Sequence, residues 1–182
     1  KPGTPQAKEL DERLEQAVVL AARDIVKASK KRGIETTYSR LVDLYGRQPN
    51  LGVRTSESMA DQAYSTPAPL AFLASRLAGV VNADVVYEPT AGNGMLLIEA
   101  DRDSVVANEL NERRRNALKA QGFKRVTGND ASLDGQARAI NNALNGAAVV
   151  IENPPFGIIP QADGSSKTFH VDGWKTTQID HA

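Results

Sequence analysis

The segment from Glu88 to Gly94, Glu-Pro-Thr-Ala-Gly-Asn-Gly, combines a carboxylate with a tight glycine turn. Such a turn at the carboxyl end of a parallel strand lets a nucleotide-like ligand approach the backbone closely. The dinucleotide fingerprint needs a third small residue after Gly92 and Gly94, but Leu97 occupies that position, and the Gly-Lys-Ser/Thr sequence of a phosphate-binding loop is absent. The pattern therefore disfavours nicotinamide, flavin and nucleoside triphosphate ligands.

Polar side chains follow three successive predicted strands, at the points where the strands end. The common ligand of such a turn that remains is S-adenosyl-L-methionine. It carries no phosphate, so a site for it needs an accessible glycine turn and polar anchors for its amine, ribose and adenine. Glu88 could face the amine, Glu109 could accept both ribose hydroxyls, and Asn129-Asp130 could accept the adenine amine. An ordinary strand-to-helix bend is the alternative for a lone glycine turn, and the three polar positions together favour a cofactor site.

A second motif, Asn153-Pro154-Pro155-Phe156, follows the fourth predicted strand. Asn-Pro is by itself a common turn signal, so a plain turn is the alternative interpretation. The position of the motif, after the fourth strand of a domain that also carries the glycine turn, favours a catalytic role.

The two motifs and their order resemble those of amino-group methyltransferases, specifically the adenine-N6 DNA methyltransferases. Asn153-Pro154-Pro155-Phe156 matches their motif IV, the Glu88 to Gly94 segment resembles their motif I, and Tyr64-Ser65-Thr66-Pro67 is similar to the Thr-Pro motif that precedes motif I. The resemblance covers residues 64–156, about half of the chain. The motif order is that of the class whose target-recognition region comes last.

This resemblance implies S-adenosyl-L-methionine as the cofactor and adenine-containing DNA as the partner. Cofactor contacts are then expected from eleven residues: Tyr64, Thr66, Pro67, Glu88, Pro89, Thr90, Gly92, Gly94, Glu109, Asn129 and Asp130. The Asn-Pro-Pro motif also occurs in enzymes that methylate RNA bases or glutamine side chains, and Phe156 in the last position favours DNA adenine. More loosely, residues 63–73 and the Pro-Thr-Ala-Gly-Asn-Gly segment resemble methylase domains of very large phage or plasmid anti-restriction proteins that carry a strawberry-notch-like helicase.

The chemistry of an adenine amine explains the catalytic motif. This amine is a poor nucleophile because its lone pair is delocalised into the ring, and two acceptors on its N–H bonds would draw the nitrogen toward a tetrahedral, attacking state. The Asn153 side-chain oxygen and the Pro154 carbonyl suit that role, and Pro154 and Pro155 restrict the backbone that holds them. Phe156 offers a face on which a base extruded from the duplex can stack.

Hydrophobic periodicity predicts two helices in the N-terminal part of the chain. The first is expected over residues 6–31, with Gly33 as its C-terminal stop. The second follows, capped by Thr36 or Thr37 and ended by Gly46. These helices form an expected helical N-terminal subdomain over residues 1–55.

Strands and helices alternate in the remainder of the chain. Thr66-Pro67 caps a helix to about Ala78. The elements expected after it are strand 84–87, helix 95–100, strand 104–108, helix 112–121, strand 124–127, helix 133–144 and strand 147–151. Such alternation predicts an α/β fold with a parallel sheet and flanking helices, and the resemblance implies the Rossmann-like class I methyltransferase type.

We expect a methyltransferase core over residues 56–160 and a mobile loop over residues 161–182. Because four strands can be identified against the seven of a complete methyltransferase sheet, we expect the sheet to be incomplete on its C-terminal side. We therefore expect the chain to be a fragment of a longer polypeptide, which the looser resemblance implies is helicase-like, and to be catalytically idle alone. The edge of the fourth strand is expected to self-associate or to be covered by the N-terminal helix.

Composition limits the cofactors and partners that the chain can have. The charges of the 22 basic and 22 acidic residues cancel, so the net charge gives no evidence for or against binding of nucleic acid. The absence of Cys excludes disulfides and thiolate metal sites, and the spacing of the two His residues predicts no metal site. No apolar run is long enough to span a bilayer, so no membrane partner is expected, and the cytoplasm is the expected compartment.

Two interpretations stay open beside the enzyme. Basic residues outnumber acidic ones by seven to two between Lys27 and Arg54, which fits either a phosphate-contacting face or, as we favour, a solvated helix face. The chain could also be an accessory module that uses a methyltransferase-like fold to bind DNA or a protein partner without turnover.

Overall fold

A computed structural model of the chain describes residues 4–48, 65–131, 149–154, 161, 163–171 and 174–176. The helices in these ranges are α1 (Pro5–Ser29), α2 (Ile34–Arg47), α3 (Ala68–Leu77) and α4 (Glu112–Ala120), and 3-10 turns cover Val80–Asn82 and Met95–Leu97. The strands are β1 (Val86–Glu88), β2 (Val105–Asn108), β3 (Arg125–Thr127), β4 (Val149–Val150), β5 (Phe169–Val171) and β6 (Trp174–Thr176). None of the described helices is long and apolar enough to cross a membrane.

Strands β1 to β4 form one parallel sheet in the order β3-β2-β1-β4. Val86 of β1 lies opposite Val105 of β2 on one side and opposite Val149 of β4 on the other. The chain therefore builds outward from β1 to β3 and then crosses back to place β4 beside β1. In open parallel sheets, such a reversal of strand order is called a topological switch point. The predicted α/β class, with a parallel sheet and flanking helices, is confirmed.

One hydrophobic core joins the sheet to the N-terminal helices. Val86 and Val105 of the sheet are fully buried, and Phe72 of α3, Leu41 of α2 and Val19 of α1 belong to the same cluster. The helical segment expected over residues 1–55 thus shares its core with the sheet. Packing of this kind fixes α1 relative to the segments that leave β1 and β2.

Arg23 of α1 is a buried charged residue that ties this helix to the chain after the glycine turn. Its Nη2 donates to Leu97 O (2.8 Å), its Nη1 donates to Ala100 O (3.4 Å), and its guanidinium carbon lies 5.0 Å from the centre of the Phe123 ring. Burial, helped by the nearby charge of Arg102, lowers the pKa of Arg23 to about 10. The guanidinium is therefore still charged at neutral pH and holds α1 through charge-assisted hydrogen bonds.

The segment after the glycine turn corrects the prediction of a helix over residues 95–100. Only the 3-10 turn Met95–Leu97 forms there. Leu96 O accepts a hydrogen bond from the Ser75 hydroxyl (2.5 Å), and Leu97 O accepts from Arg23. Carbonyls that an α-helix would pair internally are thus bonded to side chains of other helices, and periodicity alone could not reveal those partners.

The predicted boundaries of the second helix are also wrong. Gly33 has a φ of +86° and occupies the N-cap position of α2, so it begins this helix instead of ending α1. Thr37, expected as a cap, is buried in the first turn, where its hydroxyl donates to Gly33 O (3.0 Å). The helix continues through Gly46 to Arg47, because a single glycine near a helix end lowers stability without stopping the helix.

The expected mobile loop within residues 161–182 contains a strand pair. β5 and β6 are antiparallel, with Phe169 opposite Thr176. Asp172-Gly173 stands between them in the sequence, which is a two-residue hairpin signal that the loop interpretation overlooked. The predicted helix over residues 133–144 lies outside the described residues.

Arg23→Ala is predicted to lower the free energy of unfolding by about 2–4 kcal/mol, because two hydrogen bonds from a buried charged group are lost. The matched control is Arg13→Ala on the same helix, where an exposed side chain pairs with Glu9. That change should cost less than about 0.5 kcal/mol. Urea unfolding followed by circular dichroism measures both, and equal effects of the two substitutions would contradict a structural role for Arg23.

Candidate functional site

The segments that leave β1, β2 and β3 meet at one edge of the sheet, as parallel pairing requires. Ala91 N donates to Asn108 O (2.8 Å), and Glu109 N donates to Thr127 O (3.1 Å). On the other side of β1, Ile151 N donates to Tyr87 O (3.1 Å). The segments in which the sequence predicts site residues therefore lie side by side.

The glycine turn after β1 is packed on one side and open on the other. Gly92 and Gly94 have φ values of +54° and +87°, a region that favours glycine. A Cβ on Gly94 would lie 3.0 Å from Leu118 Cδ2 of α4, whereas a Cβ on Gly92 would meet no atom within 4 Å. Gly94 thus allows the turn to pack against α4, and Gly92 leaves a stretch of backbone that a ligand can approach.

Glu109, which follows β2, holds this turn. Its Oε2 accepts a hydrogen bond from Gly92 N and its Oε1 accepts one from Asn111 N, both at 2.7 Å. The side chain is buried. A carboxylate can accept about four hydrogen bonds, so these two leave each oxygen able to accept one more, as binding of two hydroxyls requires.

Asn108 is a site residue that the sequence interpretation missed. Its Nδ2 donates to Pro89 O (2.9 Å) and Asn129 O (2.8 Å), while its Oδ1 accepts from Thr127 Oγ1 (2.7 Å) and Asn129 N (2.9 Å). One buried amide thus ties together the segments after β1 and β3. The available signal was a polar residue at the end of the apolar Val-Val-Ala run, directly before Glu109.

Glu88 ends β1 and is 2% exposed. Its Oε2 has no hydrogen-bond partner among the described residues, and neither has the buried Oγ1 of Thr90. Burial, reinforced by the neighbouring carboxylates of Glu109 and Glu152, raises the pKa of Glu88 to about 8. Buried polar atoms are nearly always paired, so two unpaired ones beside the glycine turn point to a polar ligand there.

Asp130, expected to accept an adenine amine, is engaged by a residue from the C-terminal part of the chain. Its Oδ2 lies 3.0 Å from Lys167 Nζ, and both side chains are about one-third exposed. The neighbouring Asn129 is exposed, and its backbone is held by Asn108. A pair this exposed is weak, so a ligand at Asp130 would compete with Lys167 at little cost.

Asn153 lies against the Thr-Pro segment. Its Nδ2 donates to Thr66 Oγ1 (3.0 Å), which joins two predicted site residues that are 87 positions apart. This contact uses the amide nitrogen of Asn153 and not the oxygen that the chemistry requires. Pro67, and not Thr66 as predicted, occupies the N-cap position of α3, and its carbonyl accepts from Ala71 N (2.9 Å).

The remaining predicted site residues fall into two groups. Pro89 and Pro154 are partly buried. Pro89 directly follows β1, and Pro154 follows β4 after three intervening residues. Tyr64, Pro155 and Phe156 lie outside the described residues. No group of three or more His, Asp or Glu side chains in the described part of the chain is arranged to hold a metal ion.

Comparison of the chain with models of protein families, with curated proteins and with solved structures gives no match. A proposed function therefore rests on the residues of the site.

Glu88→Gln is predicted to raise the melting temperature at pH 8. The pKa of Glu88 is about 8 in the folded chain and near 4.5 when exposed, so the folded state binds the extra proton between these values and stability falls as pH rises through them. Glutamine is neutral throughout and avoids this loss, with about 2–4 °C expected for each kcal/mol.

The advantage of Glu88→Gln should shrink as pH falls and level off below about pH 4.5, where the carboxyl of the unfolded wild type also becomes protonated. Asp24→Asn, at an exposed position of α1, is the control and should show no such trend. A difference between Glu88→Gln and wild type that is constant from pH 5 to pH 8 would contradict a neutral buried carboxyl.

Proposed function

We propose that the chain binds S-adenosyl-L-methionine where β1, β2 and β3 end at one edge of the sheet and that, within a longer polypeptide, it methylates the exocyclic N6 amine of adenine in DNA. The observation that carries this proposal is the contact between Asn153 and Thr66. It brings the Asn-Pro-Pro motif and the Thr-Pro motif together at the switch point, where doubly wound sheets bind ligands.

The residues at the glycine turn fit the cofactor. Gly92 has open space where a side chain would stand, so the ligand can lie against backbone. The unpaired buried Oε2 of Glu88 offers a partner for a cationic amine, and Glu109 retains capacity for two ribose hydroxyls. Asn129 and Asp130 stand after β3, where adenine would lie. When bound, this cofactor supplies an activated methyl group.

The protein's part in the reaction is orientation of the amine. The Asn153 Oδ1 and the Pro154 carbonyl accept hydrogen bonds from the amine N–H groups, which localises the nitrogen lone pair toward the methyl group. Thr66 fixes the Asn153 amide through its nitrogen, so the oxygen is oriented before the base arrives. The target atom lies inside the duplex, so the base must be extruded to reach this motif.

The basic residues at the C-terminal end of α1 are candidates for contact with DNA phosphates. Lys27, Lys30, Lys31 and Arg32 are exposed at the C-terminal end of α1 and just beyond it. At about 1.5 Å per residue, Lys30 lies about 22 Å along the helix from Glu15, whose carboxylate accepts hydrogen bonds from Ser65 and from Asn93 of the glycine turn. This distance allows at most a contact with a flanking phosphate, and a solvated helix face stays the interpretation that we favour.

Because the chain alone is expected to be idle, the test of the proposed reaction uses the longer polypeptide that contains it and measures transfer of a tritiated methyl group from S-adenosyl-L-methionine to duplex DNA. We expect incorporation into DNA that contains adenine and none into an inosine-cytosine duplex of equal length. Incorporation into RNA or into a glutamine-containing peptide, with none into DNA, would overturn the substrate assignment. Absence of transfer to any of them, with cofactor bound, would favour the accessory-module interpretation.

In the longer polypeptide, Asn153→Ala is predicted to lower the rate of methyl transfer by about 10²–10³-fold, because an acceptor aimed at the reacting amine is lost. Cofactor affinity should change by less than about threefold, since the side chain is proposed to act on the amine. Asn116→Ala, at an exposed position of α4, is the matched control and should change neither value. Equal loss of binding and rate in Asn153→Ala would contradict its role.

Cofactor binding is predicted to release about one proton near pH 6.5, where an α-amine is still protonated and Glu88 is neutral. The positive amine favours the charged form of the Glu88 carboxyl, so affinity should also rise with pH below the pKa of that group. Calorimetry in buffers of different ionisation enthalpy measures the released proton. Binding without buffer dependence in the wild type, or unchanged proton release in Glu88→Gln, would contradict the role of Glu88.

A further inference from the structure

Helix α1 contributes a carboxylate to the candidate site, although no motif includes that helix. Glu15 Oε2 accepts a hydrogen bond from the Ser65 hydroxyl (2.8 Å) and another from Asn93 Nδ2 (3.1 Å). Ser65 lies 50 positions and Asn93 lies 78 positions from Glu15 along the chain. A single oxygen atom therefore bridges two segments that are remote in sequence.

Each of these segments holds a separate part of the site. Asn93 is the residue between Gly92 and Gly94 and is 5% exposed. Its carbonyl accepts a hydrogen bond from Gln121 Nε2 (2.9 Å), so the turn is held from α1 and from the end of α4. Ser65 directly precedes Thr66, whose hydroxyl accepts from the Asn153 amide.

Arg114 of α4 holds the acidic face of α1 in place. Its Nη2 and Nε bond to Glu12 at 2.8 Å and 3.2 Å, and its Nη2 lies 3.8 Å from Glu15 Oε2. The side chains of Arg114, Glu12 and Glu15 are only 11%, 24% and 18% exposed. Glu12 also accepts from Asn93 Nδ2 at 3.3 Å. Hydrogen bonds at this depth are less weakened by solvent than those on the surface.

We propose that Glu15 is a positioning residue that couples the glycine turn to the Ser65–Pro67 segment, so that the cofactor turn and the support of Asn153 are ordered together. The consequence for catalysis rests on the proposed function. The coupling itself is a property of the chain without ligand and can be tested separately.

Two substitutions of Glu15 separate this role from simple packing. Glu15→Gln keeps an oxygen acceptor of the same reach, and both bonds go to one oxygen, so it should preserve the bridge. Glu15→Met keeps the length of the side chain and the helix propensity but removes the acceptor. Glu9→Met, at an exposed position of α1, is the matched control.

The first measurement is backbone amide hydrogen exchange, followed residue by residue by nuclear magnetic resonance without ligand. Glu15→Met should speed exchange at Ala71, whose N–H bonds to Pro67 O, and at Gly94, whose N–H bonds to Ala91 O, while Glu15→Gln and Glu9→Met leave both near the wild-type rate. Ser65→Ala should speed exchange at Gly94 as well, because it removes one arm of the bridge. Ser65→Ala also provides the test if Glu15→Met does not fold.

The second measurement is cofactor affinity. Glu15→Met should weaken cofactor binding about tenfold, because the glycine turn is then no longer ordered before the ligand binds, and Glu15→Gln should restore it. A fall in melting temperature with unchanged exchange at Ala71 and Gly94 would overturn the proposal, and so would faster exchange at one of them alone. If the wild type fails to bind the cofactor, the proposed function fails, and the exchange rates still decide the coupling.

Discussion

Because β1 pairs in parallel with β2 on one side and with β4 on the other, the segments that follow these strands leave the sheet at the same edge. This constraint places Glu88, Glu109 and Asn153 in one region although they are far apart along the chain. The Asn108 amide then fixes the segments after β1 and β3 with four hydrogen bonds. Removal of the parallel pairing would leave the polar groups without a common site.

The site carries an electrostatic cost that the rest of the fold must offset. Burial, together with two neighbouring carboxylates, opposes a charge on Glu88 and raises its pKa to about 8. The same environment makes the carboxyl a strong partner for a cationic amine. A folded chain can tolerate such a residue because the surrounding core, from Val19 of α1 to Ile151 after β4, is continuous.

The sequence predicted the four strands of the parallel sheet and the fold class well, since alternating apolar runs and glycine punctuation are local signals, but it missed the β5–β6 pair. It also predicted which polar residues stand at the strand ends. It did not predict the 3-10 turn at Met95–Leu97, because Ser75 and Arg23, which are distant in sequence, donate side-chain hydrogen bonds to carbonyls of that turn. The roles of Asn108 and Glu15 were missed for the same reason: their partners are distant along the chain, and no periodicity records such contacts.

The central claim is that the open backbone at Gly92 and the ends of β2 and β3 bind an adenosyl ligand. The most direct measurement is a nuclear magnetic resonance titration of the isotope-labelled chain with S-adenosylhomocysteine, which cannot react. The amide signals of Gly92, Asn93, Gly94 and Asn129 should shift together with one dissociation constant. Unchanged signals at these four residues at millimolar ligand, or saturable shifts confined to another part of the chain, would contradict the claim.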